Sequence, residues 1–177
     1  MHKNPIQPIT LLGTPINASA RIVLSGTPGL FVEEDGGLSL DDAALQAEMA
    51  RFKNHDVKTL IALIEDAELH PVVFEDIEEA AIAVGIRSQR LPIADFHAPT
   101  AEQEADWEEI RDYARQVLAE GGSVAFFCLA GIGRSGMMAA CLLVHLGLTP
   151  EDALSEVRRI RPDALETDAQ LAYLRAQ

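Results

Sequence analysis

The chain has only two cysteines, Cys128 and Cys141, among 177 residues. That excludes a disulfide framework and a cysteine-rich zinc site, and free thiols suit a reducing compartment. The histidines His2, His55, His70, His97 and His145 fall at no metal-ligand spacing, so no metal is expected. No G-x-S-x-G segment marks a serine nucleophile on a strand-to-helix elbow. Positive charge is scarce: 14 Lys+Arg stand against 28 Asp+Glu, a formal net charge of −14 at pH 7. A field of that sign repels nucleic-acid phosphates and anionic membrane surfaces, so neither is an expected partner. The longest apolar run inside a predicted helix, residues 137–146, is far too short to cross a bilayer. Residues 1–10 carry no apolar core of the kind a signal peptide needs, so the expected location is cytoplasmic.

What is present reads as a globular mixture, with 48% hydrophobic and 24% charged residues. The length suits one domain over residues 1–177, of which about 1–20 form an N-terminal extension packed on the rest. Short β-branched runs alternate with segments of helical period, which predicts an α/β fold. Its central, mostly parallel sheet should be flanked by helices on both faces. Residues 9–12, 21–24, 58–64, 88–93 and 123–128 read as strands, the third continuously apolar and hence buried. A helix is expected to start after Ser39, with Leu45, Met49 and Phe52 on one face. Another covers residues 75–84 and stops at Gly85. Thr100 and Gln103 form a capping box. Behind it Trp107, Ile110, Ala114, Val117 and Leu118 share a face. Residues 134–146 are apolar almost all round, which predicts a helix buried at the centre. Thr149 with Pro150 starts the next helix, and Thr167 with Gln170 caps the last.

One segment carries chemistry: Phe127-Cys128-Leu129-Ala130-Gly131-Ile132-Gly133-Arg134-Ser135-Gly136. A buried strand ends at a cysteine, five residues form a tight loop, and an arginine opens a buried helix. Successive N–H groups in such a loop converge on one point and form an anion-binding nest. The helix N-terminus behind them adds positive potential. Gly131 and Gly133 permit close backbone approach. Arg134 offers a bidentate fork to two oxygens of a tetrahedral anion. Cys128 at the base of this bowl is placed to attack as a thiolate. The Ser135 hydroxyl is placed to hydrogen-bond the sulfur as it leaves.

The segment resembles the C-x5-R-S signature of cysteine-dependent protein tyrosine and dual-specificity phosphatases. Leu91-Pro92-Ile93-Ala94-Asp95, with Pro99 following, is similar to the general-acid loop of the small dual-specificity enzymes. Val157-Arg158-Arg159-Ile160-Arg161-Pro162, with Gln170 and Tyr173-Leu174, resembles their C-terminal helical pair. The nearest group is the kinase-associated dual-specificity phosphatase (cyclin-dependent kinase inhibitor 3) family, and the resemblance runs from about Arg21 onward. It implies a phosphatase fold, a cysteinyl-phosphate intermediate, Asp95 as proton donor to the leaving group and then as the base that activates water, and no cofactor. Gln170 is either a capping residue or the group that positions the attacking water. Most relatives place histidine before the cysteine; Phe127 stands there instead.

Other polar groups have plainer readings. Cys141 is core packing, and His97 an exposed loop histidine. Asp66 and Glu68 either border the pocket or, as the favoured reading, form a polar strand end. Arg158, Arg159 and Arg161 belong to structural ion pairs. The apolar loop positions Leu129, Ala130 and Ile132 favour a phosphorylated protein over inositol phosphates. From Leu118 to Leu148 the one acidic residue is Glu120, which predicts a locally positive pocket. Two rival functions share the cysteine loop: a rhodanese-like sulfurtransferase and a silent phosphopeptide-binding pseudophosphatase.

Overall fold

Apolar strands that leave no polar face must be covered on both sides, and helices precede and follow two of them, residues 57–62 and 123–127. The computed structural model describes residues 9–177; residues 1–8, the start of the expected extension, lie outside the described residues. The strands are β1 (Thr10–Gly13), β2 (Arg21–Ser25), β3 (Leu30–Val32), β4 (Leu38–Leu40), β5 (Val57–Ala62), β6 (Arg87–Arg90) and β7 (Ser123–Phe127). The helices are α1 (Asp42–Asn54), α2 (Asp66–Leu69), α3 (Phe74–Ala83), α4 (Glu104–Ala119), α5 (Gly133–His145), α6 (Pro150–Ile160) and α7 (Asp168–Arg175). Five strands form one sheet of order β1-β2-β7-β5-β6, in which only β1 runs antiparallel to its neighbour. The mostly parallel α/β sheet expected from the sequence is therefore the observed architecture, with β1 closing one edge.

Alternation along the strands separates two cores. Ile22, Leu24, Ile61, Val124 and Phe126 face α4, α5 and α6. Val23, Leu60, Ala62, Ala125 and Phe127 face α1 and α3. Helix α5 is buried almost throughout because the sheet lies on one side of it and α6 and α7 on the other. Gly136 makes that contact possible, since a Cβ there would press on Ala164.

Two local details depart from the sequence reading. Residues 38–40 pair with β3 as a two-stranded hairpin that the sequence reading did not identify, and α1 follows with Asp42 in its first turn. Its cap is Asp41, whose carboxylate accepts the Ala44 N–H at 2.7 Å. The charged run after β5 is a short helix, α2, closed by a Glu65–Glu68 capping box rather than a polar strand end. Beyond β6 the regular ladder stops, but Leu91 and Ile93 still donate to the Ala62 and Leu63 carbonyls at 2.9 and 3.0 Å. That continuation carries the chain to Asp95 at the carboxyl ends of the parallel strands, where Cys128 also emerges. Among the described residues no helix is long and apolar enough to cross a membrane.

Phe126 is fully buried beneath the Trp107 ring, with centroids 6.4 Å apart. Phe126→Ala is expected to lower unfolding free energy by about 3–5 kcal/mol, measured by urea denaturation.

Candidate active site

The turn after β7 is built against the turn after β2. Thr27 Oγ1 donates to the Cys128 carbonyl at 3.1 Å, and Thr27 N–H to the Leu129 carbonyl at 3.2 Å. Gly131 has φ +77°, and a Cβ there would collide with the backbone of Ser25 and Gly26. Only glycine meets both demands. The loop of Leu129, Ala130, Gly131, Ile132 and Gly133 leads directly into α5, whose first turn holds Arg134 and Ser135. The Cys128 thiol donates to Ser135 Oγ at 3.6 Å, both residues being buried.

Arg134 is 2% exposed, and most of its donors are spoken for. Nη1 donates to Glu68 Oε2 at 2.6 Å and to the Ile93 carbonyl at 2.8 Å. Nη2 donates to Glu68 Oε1 at 2.7 Å and lies 3.1 Å from Asp95 Oδ1. Its Nε, also buried, has no hydrogen-bond partner among the described residues. Burial by itself would lower the guanidinium's pKa. The Glu68 hydrogen bonds outweigh it, aided by neighbouring Cys128 and Asp95, and hold Arg134 above the ordinary arginine value.

Asp95 comes from the loop between β6 and α4. Its carboxylate also accepts the N–H of Phe96, a residue held at φ +62°. The loop is pinned to the start of α7: Thr167 Oγ1 donates to the Phe96 carbonyl at 2.9 Å, and Gln170 Nε2 to the His97 carbonyl at 3.4 Å. His97 is exposed, as expected.

The fold thus brings Cys128, Arg134, Ser135, Asp95 and the five loop residues together. Gln170 is fully buried beside them, and its amide is engaged at both ends, since Oε1 accepts the Glu166 N–H at 2.8 Å. It closes the α7 cap by bonding Glu166, while Thr167 accepts the Gln170 N–H. Glu166 is the site residue that sequence reasoning missed, and Glu68, set aside as a polar strand end, borders the pocket through Arg134. The signal for Glu68 was the Glu65-x-x-Glu68 capping pattern after β5. Glu166 had no local signal; its carboxylate packs against Gly133, so closely that a Cβ there would strike Oε2. Burial first, then Asp95, raises its pKa, with Arg134 opposing and Asp163 adding.

Three further sequence readings are corrected or refined. Of the basic cluster, Arg159 forms an ion pair of the expected kind, with Glu156. Arg158 donates to the Ala164 and Leu165 carbonyls, and among the contacts of buried Arg161 is the Leu24 carbonyl at 3.4 Å. The pocket is not formally positive, because Glu68, Asp95 and Glu166 arrive from other segments and surround Arg134. Phe127 is fully buried in the α1–α3 core, facing away from the core that includes Cys128. Cys141 is core as expected, and burial pushes its thiol far up.

A family model described as "Polymorphic toxin system, DSP-PTPase phosphatase" (Tc-R-P) matches residues 37–148. Cyclin-dependent kinase inhibitor 3 of Rattus norvegicus is 25% identical over 175 residues, covering 97% of this chain and 78% of that protein. Protein tyrosine phosphatase domain-containing protein 1 of Bos taurus is 29% identical over 134 residues, covering 71% of this chain. The match spans only 16% of that bovine protein's length. Among solved structures, kinase associated phosphatase with its catalytic-site cysteine replaced by serine superposes with TM-score 0.77 at 25% identity. That superposition covers 98% of this chain and 94% of the other. Tk-PTP in its active form gives TM-score 0.65 at 30% identity, covering 92% and 95%.

Glu68→Ala leaves a buried guanidinium without its main counter-charge. It should cost about 3 kcal/mol of stability, and loosening Arg134 should slow phosphate-ester turnover by about 10²-fold. Urea unfolding and steady-state kinetics check the two effects separately.

Proposed function

The chain belongs to the DSP-PTPase phosphatase family, and on that premise we propose that it removes phosphate from phosphorylated proteins through a cysteinyl-phosphate intermediate. The observation that carries this reading is the arrangement of Arg134. Two of its nitrogens are held by Glu68 while buried Nε retains a free donor, beside a loop that opens a helix and starts at a cysteine. A guanidinium fixed this rigidly is prepared to receive an oxyanion with little reorganisation.

In the proposed first step the Cys128 thiolate attacks phosphorus. The S–P bond forms as the P–O bond to the leaving group breaks, and the loop N–H groups and Arg134 hold the remaining oxygens. Asp95, 3.1 Å from Arg134, sits at the same opening. As a carboxylic acid it gives its proton to the departing oxygen. In the second step water attacks phosphorus and the sulfur leaves with its electron pair, stabilised by the Ser135 hydroxyl. None of these steps calls on a metal or organic cofactor.

Phosphoprotein substrates, on tyrosine or on serine and threonine, suit the apolar positions Leu129, Ala130 and Ile132 better than a polyphosphorylated ring. The rim of Asp95 and Glu166, in a chain of net charge −14, penalises additional negative charge on the ligand. A rhodanese-like transferase has no need of Asp95, and a silent binding module would hold phosphopeptide without releasing phosphate.

Two outcomes are expected. Cys128→Ser should abolish release of aryl alcohol from an aryl phosphate, and Asp95→Asn should reduce it by about 10²–10⁴-fold. Wild-type rates from both variants would overturn the mechanism, and an unaffected Asp95→Asn alone would favour the transferase. Basic phosphopeptides should also be turned over faster than acidic ones of the same length, with the gap narrowing as salt is added. Malachite-green phosphate release across a peptide panel measures it.

A further inference from the structure

We propose that Glu166 is the proton acceptor for the water that hydrolyses the cysteinyl-phosphate, a catalytic carboxylate separate from Asp95; this rests on the phosphatase reading above. Gln170 is the other side chain beside the loop that could handle that water. Its amide is already committed, with Oε1 on the Glu166 N–H and Nε2 on the His97 carbonyl, and the residue is fully buried. Gln170 is therefore a brace that ties the acid loop to the start of α7. What the brace holds in place is Glu166.

The Glu166 carboxylate lies against Gly133, the residue that joins the anion-binding loop to α5. A phosphoryl group held by the loop sits one hydrogen bond, about 2.9 Å, from its N–H groups. Glu166 is thus a neighbour of the phosphoryl site from the α6–α7 side, whereas Asp95 approaches from the β6–α4 side. The Asp95 carboxylate meets Arg134 and accepts the Phe96 N–H. Glu166 Oε1 and Oε2 form no hydrogen bond or ion pair among the described residues. It is electrostatically coupled to both Asp95 and Arg134. A carboxylate at the edge of the pocket, with no partner of its own, is equipped to take a proton from water.

The step balances without any added reactant. Water oxygen bonds to phosphorus, the P–S bond breaks, and Cys128 leaves as thiolate. The water proton passes to Glu166, which later releases it to solvent. Asp95 is left with the first step alone, donating its proton to the leaving oxygen.

Rapid mixing with an aryl phosphate separates the two steps, because aryl alcohol appears as Cys128 is phosphorylated and steady turnover requires hydrolysis. In Glu166→Gln and Glu166→Ala the steady rate should fall by about 10²-fold. A burst of aryl alcohol stoichiometric with enzyme should emerge, and intact-mass spectra should show phosphoenzyme accumulating. Asp95→Asn should show the opposite pattern, with no burst and no phosphoenzyme. Loss of both phases together in the Glu166 variants, or no change in either, overturns the assignment while leaving the phosphatase reading intact. A wild type that releases no aryl alcohol overturns both.

Discussion

A buried guanidinium is the constraint around which the site is organised. Removing a charge from water costs several kcal/mol unless partners replace the lost solvation, and Arg134 is almost completely enclosed. Glu68 replaces it with a two-pronged contact, the Ile93 carbonyl adds a third bond, and Asp95 a second charge. These partners come from α2 and from the stretch after β6, while Arg134 itself belongs to α5. One side chain thereby ties together three parts of the chain and sets the separation between the cysteine loop and the acid loop. The same bonds that offset desolvation also orient the donor left for an oxyanion.

The charge balance takes on a different meaning once the site is assembled. Along the chain, the neighbourhood of Arg134 is nearly free of acidic residues. In space, three carboxylates converge on it. On the proposed reading, attraction for phosphate resides in the backbone N–H groups of the loop and the N-terminus of α5 together with one arginine, not in an excess of cationic side chains. Such a site is short-ranged. As proposed, it favours one phosphoryl group seated in the loop and repels ligands that carry further negative charge outside it.

Phe127 and the α6–α7 connection show how neighbouring positions divide structural and chemical work. Strand alternation turns Phe127 into the α1–α3 core, where its ring is packed apolar mass, while Phe126 and Cys128 belong to the opposite side. Gln170 looks chemical in sequence and is structural in space. Glu166 looks unremarkable in sequence and lies against the loop. The difference is made by α7, whose cap turns the glutamine inward and leaves the preceding carboxylate at the pocket edge.

Sequence alone determined the alternating α/β architecture, the buried faces of α1 and α4, the cap at Thr149, and the cysteine-loop-arginine segment. Each of these is a local property, written in hydrophobic period, capping chemistry or the spacing of a contiguous loop. Tertiary structure decided the rest. The β3–β4 hairpin, the Glu68 fork, the carbonyl contacts of Arg158 and Arg161, and the packing of Glu166 against Gly133 all join residues from different elements. Their energies depend on distances that no periodicity encodes. A carboxylate becomes the partner of Arg134 or the neighbour of Gly133 only when the sheet and helices have placed it there.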